Sequence, residues 1–257
     1  MKAAFFDIDG TLVSFKTHTV SQSTVDAISQ LRKNGVKVFI ATGRPRPYID
    51  NLGQLEYDGI ISANGASCRM TDGTIVRNVL VDKSDLLRLT AYCHQHPMSV
   101  AFATEEQSFV NMLSPEFEEV YNLLHISLPE IRPLEHCLES EVVQVIAFFS
   151  VSSEPYIMSD ILRECDSYRW HPSFADVIAK GNSKSTGIDA VLRHCGIELS
   201  ETMAFGDGGN DIPMLRHVPC SVAMGNASDI VKSNARYVTA SVDDDGITEF
   251  LTKTRLI

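Results

Sequence analysis

The chain has 257 residues, 44% of them hydrophobic and 21% charged, with 22 Lys and Arg against 33 Asp and Glu for a formal net charge of −11. That length and composition suit a globular chain with room for two modest cores. The acidic balance argues against a nucleic-acid-binding face or an anionic-membrane face, and it opposes an anionic substrate at long range, so any such site must carry its own local positive charge.

Ala3–Phe6 is a continuous apolar run, as expected of a central strand covered on both faces. The chain leaves it through Asp7-Ile8-Asp9-Gly10-Thr11-Leu12. Carboxylates at the end of a buried strand are costly unless chemistry or a cation uses them. Asp7 and Asp9 share one side if extended backbone continues to Asp9, whereas an Asp-Gly turn is the plainer reading of the same residues. A helix is predicted over about 21–34, capped from Val20-Ser21-Gln22-Ser23-Thr24 and stopped by Gly35, with Val25, Ile28 and Leu31 on one face. A strand over 36–41 then completes a βαβ unit. It ends in Thr42-Gly43-Arg44-Pro45, a hydroxyl followed by a glycine whose N–H can approach an oxyanion. A third strand is expected over 57–62, and a hairpin over 67–70 and 75–78 across Thr71-Asp72-Gly73.

From about Lys83 the pattern changes. It predicts a helix over 83–95, strands at 98–103 and 107–112, a helix over 115–124, a strand at 142–150, a helix over 154–165 and short strands near 168 and 174. Phe109, Phe117, Tyr121 and Trp170 are read as core aromatics. Because this segment interrupts one α/β pattern, the division predicted is a core of residues 1–82 and 180–257 with an inserted second domain at 83–179. Such a domain could close over a site and exclude water.

After it, Lys180-Gly181-Asn182-Ser183-Lys184 places Lys184 at a helix start, where backbone N–H groups already favour anions. Thr202–Phe205 is another apolar strand ending in carboxylates, Gly206-Asp207-Gly208-Gly209-Asn210-Asp211, followed by a helix from Ile212. Four aspartates gathered from two strand ends would repel, and a divalent cation with oxygen ligands is the usual remedy; magnesium suits such ligands best. Asp243-Asp244-Asp245-Gly246 is read as a helix-capping run.

Together, Asp7-Ile8-Asp9-Gly10-Thr11, Thr42 in Ala-Thr-Gly-Arg, Lys184 in Gly-Asn-Ser-Lys and Gly-Asp-Gly-Gly-Asn-Asp at 206–211 resemble, in order and spacing, the four motifs of the haloacid dehalogenase superfamily. The long insertion after the second motif is similar to that of the Cof-type phosphatases with a large cap (class IIB). The resemblance implies a doubly wound Rossmann-like parallel sheet with an inserted α+β cap. It also implies a magnesium-dependent phosphatase of small phosphorylated metabolites, with sugar phosphates foremost. On the same ground Asp7 is the nucleophile that becomes an aspartyl-phosphate, and Asp9 the acid and base. Thr42, Gly43, Arg44, Asn64, Lys184 and Asn210 then serve the phosphate or substrate. Asp7, Asp9 (through its carbonyl), Asp207 and Asp211 serve the metal. A phosphomutase with the same intermediate and a non-catalytic phospho-metabolite sensor are the alternatives; the intact pair Asp7 and Asp9 disfavours the sensor.

Six cysteines are scattered without a Cys-x-x-Cys and are read as reduced thiols, which suits a cytoplasmic setting. His94 and His96 are read as a solvated helix end. No apolar run approaches membrane-spanning length, and no basic leader precedes an apolar stretch, so neither membrane insertion nor secretion is expected. A monomer or weak homo-oligomer without nucleic-acid or membrane partners follows.

Overall fold

The computed structural model describes residues 1–257 apart from the side chain of Trp170, so the expectation for that aromatic lies outside the described residues. The strands in chain order are β1 (Ala3–Phe6), β2 (Lys37–Ala41), β3 (Gly59–Ser62), β4 (Ser67–Met70), β5 (Ile75–Asn78), β6 (Val100–Ala103), β7 (Ser108–Val110), β8 (Glu130–Ile131), β9 (Gln144–Ala147), β10 (Cys165–His171), β11 (Phe174–Ala179), β12 (Thr202–Gly206), β13 (Cys220–Ala223) and β14 (Tyr237–Val238). They form an eight-stranded sheet ordered β14-β13-β12-β1-β2-β3-β4-β5 and a six-stranded sheet ordered β10-β11-β9-β6-β7-β8.

The chain divides into two compact units. Met1–Gly43, Ile49–Arg77 and Ser183–Ile257 make the first; Arg44–Tyr48 and Asn78–Asn182 make the second. The segment 83–179 lies wholly inside the second, while Arg44–Tyr48 groups with it as well.

In the first unit β14 through β3 run parallel and β4 turns back antiparallel. Side chains alternate across β1, so Ala4 and Phe6 enter one core with Val38, Ile40, Met203 and Phe205, while Ala3 and Phe5 enter the other with Phe39, Ala41 and Ala204. Ring stacking follows the register: Phe5 lies 5.2 Å from Phe39, and Phe6 lies 4.9 Å from its partner Phe205. Helix Gln22–Lys33 packs Ala27, Ile28 and Leu31 on the first face, with Ser21 Oγ accepting from the Thr24 N–H at its start. Helix Lys184–Cys195 packs Ile188, Val191 and Leu192 on the second. Both faces are covered, which is why β1, β2 and β12 read as unbroken apolar runs rather than alternating ones.

In the second unit β7 and β8 are parallel and the other neighbouring pairs antiparallel. One face buries Val100, Phe102, Val145, Ala147 and Val177 against Leu86, Leu89 and Cys93 of helix Lys83–Gln95. The other gathers Ala101, Ile146, Phe148 and Phe174 with Phe117, Val120 and Tyr121 of helix Pro115–Leu123 and with Tyr48. Phe109, Phe117 and Tyr121 are core residues, at most 2% exposed.

Three expectations need correction. The helix predicted over 154–165 holds only from Glu154 to Ile161, its last five residues in a π turn, and Leu162 leaves helical space at φ −104°, ψ 59°. Side chains from another helix stop it there: Arg88 Nε donates to the Ile161 carbonyl at 2.8 Å, and buried Asp85 accepts from the Glu164 N–H at 2.8 Å and the Cys165 thiol at 3.3 Å. The strands near 168 and 174 are long, because β10 and β11 pair from Cys165↔Ala179 to His171↔Phe174 and that pairing overrides the polar local sequence. The acidic run 243–245 does put Asp245 at the N-cap of helix Gly246–Lys253, but no side-chain cap bond forms there. Asp243 accepts from Ser14 Oγ at 2.6 Å and pairs with Lys16, and Asp245 accepts from Ser21 Oγ at 3.1 Å, so the run fastens the loop after Leu12.

Candidate active site

The first sheet places its polar loops at the carboxyl ends of its strands, where ligand sites of open α/β sheets lie. Asp7 follows β1, Thr42 follows β2, Asn64 follows β3 and Asp207 follows β12. Continuing the alternation of β1, Asp7 falls on the Phe5 side, which is the side covered by helix Lys184–Cys195. Lys184 is wholly buried, and its Nζ donates to Asp7 Oδ1 and Asp211 Oδ1, each at 2.5 Å. Burial opposes the lysine's charge, yet Asp211 and Asp7 outweigh it and raise its pKa above the ordinary value.

Asp7, Asp207 and Asp211 each bring a carboxylate oxygen within 4.8 Å of the others. Asp211 Oδ2 is fixed by the N–H groups of Asp207 and Gly208 at 2.9 and 2.8 Å. Asp207 Oδ1 accepts from Thr11 Oγ1 at 2.8 Å, and Oδ2 from Asn226 Nδ2 at 3.2 Å. Burial, then Asp211, holds Asp7 well above the carboxylate range, with Lys184 opposing; burial and Asp211 push Asp207 up to about 7. Three carboxylates against one ammonium leave the pocket short of positive charge, and an all-oxygen donor set fits a divalent cation. A carboxyl held near 7 keeps a proton that the unfolded chain gives up near 3.8, so Asp207 costs the metal-free fold stability as pH rises between those values. Thermal unfolding in chelator and in magnesium should therefore show a larger stabilisation by magnesium at pH 8 than at pH 5. Equal or absent stabilisation at both would contradict the assignment of these carboxylates to a cation.

Asp9 is half-buried in the loop after β1, which ends at Phe6, so no extended strand carries Asp7 and Asp9 on one side; Asp9 instead bridges to Val13. Its charge still adds to the upward shifts of Asp7 and Asp207. Gly10 sits at φ +82°, and a Cβ there would collide with the Asp207 carboxylate, so glycine is what lets the two acidic loops meet.

The donors come from two further loops. Thr42 is buried; its N–H donates to the Ile61 carbonyl at 2.8 Å, and its own carbonyl accepts from the Asn64 N–H at 3.1 Å. Ala63, Asn64 and Gly65 are consecutive left-handed residues at φ 47°, 48° and 94°, a costly backbone of the kind that collects at functional sites. A Cβ on Gly65 would strike the Ser183 carbonyl, so this turn seats directly on the segment that presents Lys184. Asn64 Oδ1 accepts from Asn210 Nδ2 at 3.0 Å, and a Cβ on Gly43 would approach both amides. Asn64 Nδ2 is buried with no partner among the described residues, a donor held ready for an oxyanion. Arg44 belongs to the second unit, where its guanidinium donates to the Tyr48 carbonyl at 2.9 Å.

Thr11 and Asn226 are the members to which sequence reading gave no role. Asn226 Nδ2 also donates to the Gly10 carbonyl at 2.8 Å, and its Oδ1 accepts from the Val242 N–H at 3.0 Å, tying three loops together. Its signal is the one that marked the other loops: an apolar strand, Ser221-Val222-Ala223-Met224, running into Gly225-Asn226.

Carboxylates, a buried lysine and amide donors converging on the strand ends of a doubly wound sheet define a hydrolase that handles an anionic group. Residues 4–251 match the family of haloacid dehalogenase-like hydrolases, and the chain belongs to that family. It is 40% identical to BT4131, a sugar phosphatase of HAD subclass IIB, over 100% of both chains at a TM-score of 0.92. BT1666 from Bacteroides thetaiotaomicron, described among phosphatases of the same superfamily, is 38% identical at a TM-score of 0.92, covering 100% of this chain and 96% of its own. The Bacillus subtilis (strain 168) protein named "Putative phosphatase YkrA" is 32% identical over 251 residues, 96% of this chain and 95% of YkrA. In fold the likeness extends to the mixed α/β architecture with its parallel-rich core sheet. Among the described residues no helix is long and apolar enough to cross a membrane.

Proposed function

We propose that this hydrolase is a magnesium-dependent phosphatase of small phosphorylated metabolites, sugar phosphates foremost, working through an aspartyl-phosphate on Asp7. The observation that carries this reading is the Lys184 ammonium bonded at 2.5 Å to both Asp7 and Asp211 inside a three-carboxylate pocket. The relatives named as phosphatases support it.

In the first half-reaction a carboxylate oxygen of Asp7 attacks phosphorus and the ester P–O bond breaks, with Asp9 giving its proton to the departing oxygen. In the second, Asp9 takes a proton from water, whose oxygen attacks the same phosphorus and releases phosphate from Asp7. Asp9 lies outside the three-carboxylate group and alternates in this way. Lys184 holds Asp7 in place and offsets charge on the transferring group. Thr42, the Gly43 N–H, Asn64 and Asn210 orient its oxygens, with the unspent Asn64 Nδ2 proton as one contact. Asp7, Asp207, Asp211 and the Asp9 carbonyl would hold magnesium, which when bound supplies positive charge against the developing oxyanions. Lys184 and the cation also answer the long-range repulsion expected of a chain with a net charge of −11. The six cysteines form no disulfide among the described residues, which suits a cytoplasmic enzyme.

Phosphate release should be measured across sugar phosphates, nucleotides and an aryl phosphate, with magnesium and with excess chelator. The expected result is release that magnesium supports and chelator abolishes reversibly, with phosphate equal to substrate consumed. Release that survives chelation would remove the metal from the account. Isomerised sugar phosphate without free phosphate would make the protein a mutase.

A further inference from the structure

Asn226 is an exposed side chain, yet its amide makes three hydrogen bonds, each to a different loop. Nδ2 donates to the Gly10 carbonyl at 2.8 Å and to Asp207 Oδ2 at 3.2 Å, and Oδ1 accepts from the Val242 N–H at 3.0 Å. Both amide protons are therefore spent. Exposed side chains contribute little to a fold, so bonds aimed at the two acidic loops matter most for what those loops hold.

The backbone beneath Asn226 is seated independently of its side chain. The Met224 N–H donates to the Gly206 carbonyl at 3.0 Å, which joins the end of β13 to the residue before Asp207. The Gly225 N–H donates to the Ala240 carbonyl at 2.9 Å, and a Cβ on Gly225 would stand 2.7 Å from the Ser241 nitrogen, so the chain lies directly on that segment. Asn226 thus reaches the turn after β1 from a fixed base.

Within that turn the Gly10 N–H donates to the Val13 carbonyl at 2.9 Å and the Thr11 N–H to the Ile8 carbonyl at 3.3 Å. Across a trans peptide the Asp9 carbonyl points opposite to the Gly10 N–H, so the bond to Val13 turns it away from Val13. The Gly10 carbonyl lies in the next peptide plane, and glycine leaves the angle between the two planes loose. Asn226 holds that carbonyl. The same nitrogen holds Asp207 Oδ2, while Thr11, inside the turn, holds Oδ1 at 2.8 Å. The Asp207 carboxylate is gripped on one oxygen from within the turn and on the other from outside it.

We propose that Asn226 is a positioning residue that locks the Asp9–Gly10 peptide and the Asp207 carboxylate into one arrangement, so that oxygens from both loops are set for magnesium before it binds. Ligands ordered in advance spare the cost of ordering them on binding, which appears as affinity. This rests on the magnesium-dependent reading above and adds the residue that prepares the site.

The test compares the full-length wild type with Asn226→Ala. The rise in melting temperature during a titration with magnesium alone, without substrate, reports the affinity of the folded protein. Asn226→Ala should need about tenfold more magnesium, the scale of lost hydrogen bonds to a carboxylate and a carbonyl. At saturating magnesium kcat should recover most of its wild-type value, because the cation then orders the oxygens itself, and the urea midpoint in chelator should be unchanged. A lower midpoint in chelator with unaltered magnesium affinity is the signature of a merely structural tether and would overturn the proposal. Should Asn226→Ala fail to fold, Asn226→Gln, which keeps the amide but carries it one methylene further, takes its place with the same expected loss of affinity. Weakened magnesium binding in the variant, with no phosphate release by the wild type from any substrate, would overturn the phosphatase reading and support the positioning role. Absence of magnesium binding by the wild type would overturn both.

Discussion

Asp7→Asn should reduce phosphate release by at least ~10³-fold while the protein stays folded, because the amide cannot form the acyl-phosphate and no neighbour stands in for it. Asp7 is buried at the end of a central strand, and burial and Asp211 push its pKa up strongly. In the metal-free fold its charge is therefore a burden, so removing it should leave stability unchanged or raise it even as turnover is lost. Steady-state phosphate release with magnesium, and denaturant unfolding of the same preparation in chelator, separate the two effects. Substantial residual turnover would mean that Asp7 is not the attacking group, and loss of activity through unfolding would fail the same test.

Lys184→Met should damage both properties. The methionine nearly matches the aliphatic stem but leaves Asp7 and Asp211 facing each other in a dry pocket. Breaking a buried pair by removing one partner costs roughly 3–5 kcal/mol. Urea unfolding in chelator should show a loss on that scale, and kcat should fall because the transferring group loses its nearest fixed positive charge. Magnesium should restore part of the stability, since it supplies charge to the same carboxylates, without restoring kcat. Normal kinetics with stability within about 0.5 kcal/mol of wild type, the range of a neutral surface change, would take Lys184 out of the site.

The strands of the first unit were legible because both faces of the sheet are covered. An apolar run such as Ala3–Phe6 or Thr202–Phe205 has few alternatives, and the polar residues that end each run mark where the loops begin. The same logic revealed Asp7, Thr42 and Asp207, each one residue past a strand. What it could not give was contact across the sequence. The apolar run could not say that the strand would end at Phe6, short of Asp9, and no local pattern announces that Lys184 reaches back to Asp7 across 177 residues. Asn226 closes on Gly10 across 216 residues and went unassigned although its strand–glycine–asparagine signal was in view. In the second unit the misread helix at 154–165 has a related cause. Its end is imposed by Arg88 and Asp85, residues some 70 to 80 positions away. Asp243 likewise looked like a cap because its true partners, Ser14 and Lys16, lie at the far end of the chain.

The most direct test of the account is chemical trapping of the intermediate on Asp7. Wild-type enzyme turning over a preferred sugar phosphate with magnesium is quenched in acid and reduced with borohydride, which converts an acyl phosphate of aspartate to homoserine, and the peptide containing residues 1–12 is read by mass. The account predicts homoserine at position 7 only when substrate and metal are both present. Steady phosphate release with Asp7 intact at every quench time, and the reduced residue found elsewhere in the chain, would contradict it.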